Sequence, residues 1–585
     1  MKHLISLLFF SFFLQFSFAQ NSKTYLVVFK DKNNSSFSVA EPSKFLSEKS
    51  IARRQKQNIV IKESDLPVNT NYINLVIETG VAVKNQSKWL NAISISTNDE
   101  TKLASIKKLV FVKSITLTAD PASSKIHTTK FDVPNVQSPM NNSAIPNRHP
   151  ERDQREVIPS GVEGRRERNE EQLSVSSVLN YGASFFQADQ INIDCMHDLG
   201  FMGQGMTIAV LDAGFFKADS LPAFDSIRMN NQLLGCRDFV TGDTLVFEDY
   251  PHGMNVLSCM AGNLPGQLVG TATKAKYWLL RTEDAFTETS QEEVNWLVGA
   301  EFADSVGADV INSSLGYSKF DGGIGDHFYS DMDGNTTIIS NAADWAASVG
   351  IFVTTSAGNS GGPPWFKITA PADADSALTV GAVDSAGIIA GFSSRGLTFD
   401  GRIKPNTCAR GVQAVIAANT GGITTSGGTS FSSPITAGAV ACLWQSNPSA
   451  TNLQLLNAIQ QSSSQYLSPD SIYGYGIPNF CKADSILTFI LSINNLNVKN
   501  ENVLSVYPNP FNSNFVIEFY STKKETVLIE LFDVSGRKII SQEQSVFANT
   551  KNKFSFSDIS IISKGIYTLC LISSDKTHFS KIIKQ

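Results

Sequence analysis

Three polar residues of this 585-residue chain stand where an apolar strand would end or a helix would begin. Asp212 follows the run IAVL, His252 lies in DYPHGMNVLSCMAG, and Ser430 opens SFSSPITAG after the loop SGGT. Acyl transfer needs a hydroxyl, an imidazole that takes its proton, and a carboxylate that orients the ring and stabilises its charged form. The three residue types therefore predict nucleophilic hydrolysis.

Asn359 in TTSAGNSG follows another apolar run, and its side-chain amide could donate to an oxyanion beside the backbone N–H of Ser430. Each residue alone also has an ordinary structural interpretation. Asp212 and Asn359 could support turns, His252 could be a buried neutral ring, and Ser430 could cap a helix. Their combination in these contexts favours catalysis.

Residues 180–486 supply the elements that must position this chemistry. MTIAVLD, ADVINSSLG and IFVTTSAGNSG predict strands, and SQEEVNWLVGAEFADSVG, NAADWAASVG and SFSSPITAGAVACLWQ predict helices. The first of these helices opens with a capping-box pattern from Ser290 to Glu293, and the last should tolerate Pro434 in its first turn. The alternation predicts a parallel sheet with helices on both faces and a site beyond the carboxyl ends of the strands.

Four segments, IAVLDAGF, HGMNVLSCMAG, SAGNSG and GTSFSSP, resemble the Asp, His, Asn and Ser motifs of the subtilisin-like serine proteases (subtilases, peptidase family S8). They follow the chain order of that family and span most of residues 200–480. The resemblance implies that Ser430 is the nucleophile, that His252 is the general base and then acid, and that Asp212 is the orienting carboxylate. It also implies that Asn359 is the oxyanion donor.

The same resemblance implies a substrate-binding segment, Ser314, Leu315 and Gly316, which would pair with substrate backbone by strand addition. Two positions depart from the family pattern. Ala213 replaces a hydroxyl residue and Met254 replaces the common threonine. Neither position supplies a catalytic group, so the departures bear on specificity more than on activity.

Residues 20–119 have the pattern of a small α+β unit. TYLVVF, YINLVIETG, LNAISIST and LVFVKSI predict strands, and residues 45–57 and 99–107 predict helices. The position of this unit resembles that of the inhibitory propeptide of the subtilases. Residues 120–179 are rich in charge and poor in apolar residues, which predicts an exposed, disordered linker.

The two ends of the chain predict export. Residues 1–19 have the apolar run and small residues of a cleaved signal peptide. After a linker at 487–502, residues 503–585 read as short alternating strands that predict a small β-sandwich. VYPNPF, LFDVSGRKI, GIYTL and FSKIIKQ resemble the C-terminal sorting domain of the type IX secretion system of Bacteroidota. The resemblance implies that this machinery is a partner and that the protein is secreted or held at the cell surface.

Composition excludes several classes. A formal charge of −6 gives no reason to expect nucleic acid, and no run is long enough for a stable membrane span. The seven cysteines lack metal-ligand spacing, although an exported protein could hold a bridge or two.

No cofactor motif is present, with one calcium candidate to test. Asp331, Asp333 and Asn335 alternate in SDMDGNTT, but position 342 lacks the glutamate of an EF-hand, and a turn explains the residues as well.

These features predict a secreted serine endopeptidase that is made as a zymogen and hydrolyses polypeptides. The alternative from another class is a catalytically silent adhesin on the same scaffold. A sedolisin-type enzyme would replace His252 by glutamate, and an esterase would need G-x-S-x-G around its serine. The predicted fold is a parallel-sheet α/β domain, preceded by an α+β propeptide and followed by a β-sandwich.

Overall fold

The computed structural model describes residues 22–127, 130–131, 179–248, 250–497, 504–533, 537–557, 562–574 and 577–585. The predicted signal peptide and most of the predicted charged linker lie outside the described residues. The chain divides into two compact units, residues 1–484 and 485–585. None of the helices in the described ranges combines the length and the apolar character that crossing a bilayer requires.

The N-terminal part of the first unit is an α+β layer whose antiparallel sheet has the strand order β2-β3-β1-β4. Val27, Ile93 and Ile95 form the buried core of the sheet with Val76 and Ile106 from the helices. The elements are β1 (Thr24–Phe29), α1 (Glu48–Lys56), α2 (Thr70–Ile77), β2 (Ala82–Ser87), β3 (Ala92–Ser96), α3 (Glu100–Lys107) and β4 (Val112–Ala119).

The prediction that YINLVIETG forms a strand was wrong, because these residues belong mainly to α2. Asn69 caps this helix by accepting a hydrogen bond from the backbone N–H of Asn71. The buried residues Ile73 and Val76 are three positions apart, which is helical spacing. A continuous apolar run does not by itself distinguish a strand from a buried helix.

The larger part of the first unit is built on a seven-stranded parallel sheet with the order β13-β12-β11-β10-β5-β9-β6. Its central strands are almost entirely buried, as expected when helices cover both faces. The strands are β5 (Thr207–Asp212), β6 (Leu233–Asp238), β7 (Asn263–Leu264), β8 (Leu268–Val269), β9 (Lys276–Arg281), β10 (Val310–Ser313), β11 (Phe352–Ser356), β12 (Leu378–Val383), β13 (Thr407–Arg410), β14 (Ala414–Ala417) and β15 (Ile423–Ser426).

The helices of this part include those predicted from the sequence. They are α4 (Phe185–Asp189), α5 (Ile193–Asp198), α6 (Asp225–Met229), α7 (His252–Ala261), α8 (Gln291–Val306), α9 (Ile338–Ser348), α10 (Thr429–Ser446), α11 (Asn452–Ser462) and α12 (Phe480–Asn497). The predicted capping box of α8 does not form. The Ser290 hydroxyl donates instead to the backbone carbonyl of Thr118 in the N-terminal layer.

A buried charge cluster joins the N-terminal layer to α8. Asp304 has no exposed surface and accepts hydrogen bonds from Arg53 at 2.5 Å, from Arg54 at 2.6 Å and from Lys88 at 2.7 Å. Burial alone would raise the pKa of Asp304, but the charge of Lys88 and the arginines hold that pKa well below its ordinary value. The carboxylate is therefore charged and paired in this contact.

Glu301, nearly one turn before Asp304, is also directed at the N-terminal layer. Its carboxylate accepts from the Ser87 hydroxyl at 2.6 Å and from the backbone N–H groups of Lys88 and Trp89 at 2.7 and 2.9 Å. These contacts satisfy a buried carboxylate with several donors, as burial of a charge requires. The N-terminal layer thus packs on α8 in a specific register.

One disulfide bond connects Cys195 of α5 to Cys481 of α12 across 286 residues of sequence. The other five cysteines are free thiols: Cys236, Cys259, Cys408, Cys442 and Cys570. The sequence allowed a bridge or two without indicating which cysteines would pair. The bond closes nearly the whole parallel-sheet part of the chain into one loop.

We expect Cys195→Ser to lower the free energy of unfolding of the first unit by about 2–5 kcal/mol, because the open chain gains conformational entropy when unfolded. All six tryptophans lie within residues 1–484, so tryptophan fluorescence during urea unfolding reports this unit. Cys236→Ser removes a free thiol and is the matched control. An unchanged midpoint for Cys195→Ser would contradict this expectation.

The second unit contains two antiparallel sheets, β16-β17-β20 and β19-β18-β21-β22, around a shared apolar core. Phe515, Ile517 and Phe519 are buried at alternate positions of one strand. The strands are β16 (Leu504–Tyr507), β17 (Phe515–Ser521), β18 (Glu525–Asp533), β19 (Lys538–Val546), β20 (Thr550–Phe556), β21 (Gly565–Ile572) and β22 (Thr577–Lys584). The predicted small β-sandwich is confirmed.

Candidate active site

Asp212 is the last residue of β5 and has no exposed surface. Its Oδ1 accepts a hydrogen bond from the backbone N–H of Ala213 at 2.8 Å and lies 2.7 Å from Nδ1 of His252. A carboxylate accepts, so the imidazole donates from Nδ1 and keeps Nε2 available as a base. The hydrogen bond from residue 213 to Asp212 comes from the backbone N–H, so the absence of a hydroxyl at this position does not remove it.

Gly253 permits the close approach of α7 to β5. A Cβ at this position would lie 2.5 Å from the Gly214 carbonyl oxygen and 2.8 Å from the Asp212 Cβ. His252 is the first residue of α7, so any side chain at 253 would push the imidazole away from its carboxylate. The glycine after the histidine thus has a steric role.

We expect Gly253→Ala to lower kcat/KM for peptide hydrolysis by about 100-fold, since displacing a catalytic group by roughly 1 Å has that effect. Gly391→Ala is the matched control, because among the described residues, apart from its chain neighbours, no heavy atom lies within 4 Å of a Cβ built at position 391. Both variants are assayed on one peptide after confirming folding by circular dichroism. Equal activity of the two variants would contradict the steric role of Gly253.

Ser430 is near the start of α10, where Gly428 is the N-cap. Its Oγ lies 3.4 Å from the carbonyl oxygen of Ser314, and the Ser314 hydroxyl in turn donates to the carbonyl of Ser430 at 2.9 Å. The Ser430 carbonyl can accept this bond because it has no partner within the helix: Pro434, four residues later, has no N–H to donate. Pro434 lies beyond the first helical turn, which corrects the sequence prediction.

Asn359 follows β11 and faces the start of α10. Its side-chain oxygen accepts from the backbone N–H and from the hydroxyl of Thr429, both at 2.9 Å. These bonds fix the orientation of the amide, and they leave its NH₂ group as a donor next to Ser430. Asn359 and Ser430 are thus brought to the same end of the sheet.

The segment Ser314, Leu315 and Gly316 continues directly from β10. Gly316 lies against Thr369, whose Oγ1 would be 2.3 Å from a Cβ at position 316. Tyr317 and Ala370 exchange backbone hydrogen bonds immediately after the segment. The segment is therefore held in place on one side, next to Ser430.

Two residues that sequence reasoning missed also reach the site. The ring of Phe131 stacks on the imidazole of His252, with 4.2 Å between centroids and 27° between planes. Lys130 extends its ammonium into a cluster of Glu283, Glu288 and Glu292, which we call the glutamate pocket. Lys130 and Phe131 lie in the segment predicted as linker, where no periodic pattern indicates a structural role. For the glutamates of the pocket, the visible sequence signal is the acid-rich run TEDAFTETSQEE.

The calcium candidate is engaged in local turns. Asp331 accepts from the backbone N–H of Phe328, and Asp333 accepts from those of Asn335 and Thr336. In the described part of the chain, the acidic group whose oxygens lie close enough to share one cation is instead the glutamate pocket, with ligand atoms within 4.8 Å of one another. Carboxylate oxygens suit a hard cation, but the ammonium of Lys130 is bound among them.

The fold is that of an α/β protein whose parallel sheet places an aspartate, a histidine and a serine at one edge, residue types that suit acyl transfer. Comparisons with known proteins agree with this class. The subtilase family model matches residues 203–476, a peptidase S8 propeptide model of Bacteroidota matches residues 24–132, and a secretion system C-terminal sorting domain model matches residues 505–585.

Several subtilisins are similar to this chain. Subtilisin of Bacillus pumilus is 30% identical over 294 residues, which cover 50% of this chain and 94% of the relative. Subtilisin E of Bacillus subtilis (strain 168) is 30% identical over 294 residues, covering 50% of this chain and 68% of the relative. Subtilisin Savinase of Lederbergia lenta is 27% identical over 291 residues, covering 50% and 94%.

The chain belongs to the subtilase family, and it is a serine-type endopeptidase. Its N-terminal layer is a propeptide domain of peptidase family S8, so the protein is made as a zymogen. Its C-terminal unit is a sorting domain, so the protein is exported by type IX secretion to the cell surface or beyond it.

Proposed function

We propose that Ser430, His252 and Asp212 form the catalytic triad of a secreted endopeptidase that works through an acyl-enzyme. The observation that carries the proposal is the buried 2.7 Å contact between His252 Nδ1 and Asp212 Oδ1, at the sheet edge where α10 presents Ser430. A paired, oriented imidazole is what a serine needs to become a nucleophile at neutral pH.

In acylation, Ser430 Oγ attacks the scissile carbonyl carbon and its proton passes to Nε2 of His252. The imidazolium, stabilised by Asp212, then gives that proton to the leaving amine as the C–N bond breaks. Water hydrolyses the acyl-serine ester by the same route and restores the serine hydroxyl. Rotation of the Ser430 side chain away from the Ser314 carbonyl would begin the sequence.

The oxyanion would form where two donors converge, the Asn359 NH₂ group and the backbone N–H of Ser430. The N-terminus of α10 adds its dipole, which favours negative charge at this point. Ser314, Leu315 and Gly316 would pair with the backbone of the polypeptide substrate.

The propeptide would act as an intramolecular inhibitor that blocks the base. Phe131 covers one face of His252, and the Asp304 and Glu301 contacts fasten the propeptide sheet to α8. Removal of the segment around residues 130–131 would therefore expose the site. Calcium binding at Asp331, Asp333 and Asn335 is supported only by residue type.

Casein hydrolysis by the exported, processed protein tests the proposal. Wild type should hydrolyse casein, Ser430→Ala should not, and Ser432→Ala should retain activity, because among the described residues the Ser432 hydroxyl donates to the Thr429 carbonyl of its own helix and not to a residue of the site. Processed wild type without hydrolysis would favour the silent adhesin.

A further inference from the structure

Every contact that the structure gives the ammonium of Lys130 is with a hydrogen-bond acceptor. It pairs with Glu283, with Glu288 at 2.9 Å and with Glu292 at 3.0 Å. It also donates to the backbone carbonyls of Asp284 and Thr287. Only 8% of this side chain is exposed, so the lysine is bound as a ligand would be rather than lying on a surface.

Three carboxyl groups of the glutamate pocket face the single ammonium of Lys130. Burial raises the pKa of Glu288 to about 8 and raises that of Glu292 well above its ordinary value, while Lys130 opposes both shifts. Burial also opposes the charge of Lys130, but the three glutamates raise its pKa well above the ordinary value. The charged form of these buried carboxyl groups is thus unfavourable unless a cation lies inside the pocket.

A second observation also points to a ligand. Glu292 Oε1 is buried and has no hydrogen-bond partner among the described residues, although the other oxygen of this carboxylate pairs with Lys130. A buried acceptor without a partner is costly. A guanidinium has five N–H donors in a planar fork, so an arginine in the pocket could also donate to Glu292 Oε1.

The position of the pocket connects it to catalysis. Lys130 directly precedes Phe131, the residue whose ring stacks on His252. A polypeptide that enters the cleft as the propeptide does would place one side chain on the catalytic imidazole and the preceding side chain in the glutamate pocket. The pocket would then bind the substrate residue immediately N-terminal to the one that contacts the imidazole.

We propose that the glutamate pocket selects lysine or arginine in substrates of the mature protease, at the residue immediately N-terminal to the one packed on His252. This inference rests on the proposed function, and the propeptide residue Lys130 acts in it as a built-in substrate analogue. Specificity for basic residues follows because a neutral side chain would leave these buried carboxyl groups without the cationic donor that Lys130 supplies in the propeptide.

Internally quenched peptides with the sequence of residues 125–138 test the proposal on the processed wild-type enzyme. Changing Lys130→Gln in the peptide should lower kcat/KM by at least about 30-fold, the effect of removing one partner of a buried charge pair. Lys130→Arg should change kcat/KM by less than about threefold, because a guanidinium keeps the charge. Lys125→Gln in the same peptide is the matched control, because Lys125 lies outside the pocket, and it should have little effect.

Enzyme variants assign the preference to the pocket. Glu292→Gln should bring the ratio of kcat/KM for the lysine and glutamine peptides close to one, whereas Glu248→Gln, an exposed carboxylate outside the pocket, should keep the wild-type ratio. Active enzyme is counted by fluorophosphonate titration, so misfolded Glu292→Gln does not enter the ratio.

The outcomes separate the two proposals. Absence of fluorophosphonate labelling in processed wild type would contradict the proposed function itself. Full labelling with equal cleavage of the lysine and glutamine peptides would overturn only the specificity, and would restrict the pocket to anchoring the propeptide. Equal cleavage that Ca²⁺ stimulates in wild type but not in Glu292→Gln would instead make the pocket a cation site and would also overturn the inference.

Discussion

His252→Ala is expected to lower kcat for peptide hydrolysis by about 10⁶-fold, a magnitude measured in subtilisin, a relative of this chain, rather than derived from this structure. Without the imidazole, the Ser430 proton has no acceptor, and Asp212 loses the 2.7 Å contact that orients the base. Residual hydrolysis would reflect the oxyanion donors and substrate binding alone. Steady-state kinetics on one quenched peptide measures the change.

The double variant Ser430→Ala/His252→Ala gives the control. If the two residues act as one unit, the double variant should be no less active than either single variant, because the first replacement already removes the shared step. Ser432→Ala, two positions along the same helix, should stay close to wild type. Additive losses in the double variant would contradict a common role.

Asp304→Ala is expected to weaken the hold of the propeptide on the catalytic part by about 100- to 5000-fold, since removing one partner of a buried ion cluster costs roughly 3–5 kcal/mol. Arg53 and Lys88 would be left buried without the carboxylate, while Arg54 would keep Asp65. The effect is larger than for a surface pair because the three cations share one acceptor.

The measurement uses Ser430→Ala as background, so that the chain does not digest itself. A protease that cleaves after arginine nicks the arginine-rich sequence between residues 148 and 168, and gel filtration then reports whether the propeptide stays bound. Lys49→Ala is the matched control, because its partner Asp309 forms a partly exposed pair worth about 0–1 kcal/mol. Retention of the nicked propeptide by Asp304→Ala, at the wild-type level, would contradict the role of the cluster.

In the proposed zymogen, latency would depend on contacts at two distant ends of the propeptide. The charge cluster on α8 holds the folded sheet, and residues 130 and 131 occupy the pocket and cover the base. Cutting the chain after residue 131 would leave the cluster intact, so the freed propeptide would remain bound until it dissociates or is digested. Activation of the proposed zymogen would then require a further step after cleavage.

The sequence signals that predict the candidate site are local. The run before Asp212 is apolar and continuous, as in a buried parallel strand, and Ser430 opens a segment of helix-forming and small residues. Gly253 also follows its histidine in the motif, although only the structure supplies its steric reason. The order of elements then placed both residues at one edge of the sheet.

The remaining features depend on contacts between segments far apart in sequence. Asp304 pairs with residues about 250 and 216 positions away, which no local pattern encodes. Lys130 and Phe131 lie in a stretch without periodicity, so their roles appear only when the pocket and the imidazole are in place. The strand prediction for the segment that forms α2 was wrong for a different reason, because a short apolar run fits both a strand and a buried helix.

Mapping a covalent adduct shows directly whether Ser430 is the nucleophile that His252 activates. The processed protein is treated with a fluorophosphonate, digested, and analysed by tandem mass spectrometry. We expect one stoichiometric adduct on Ser430, in the peptide that contains GTSFSSP, and its loss in His252→Ala at the same reagent concentration. An adduct on another serine, or labelling of Ser430 that is as fast without His252 as with it, would contradict the claim that this triad activates the nucleophile.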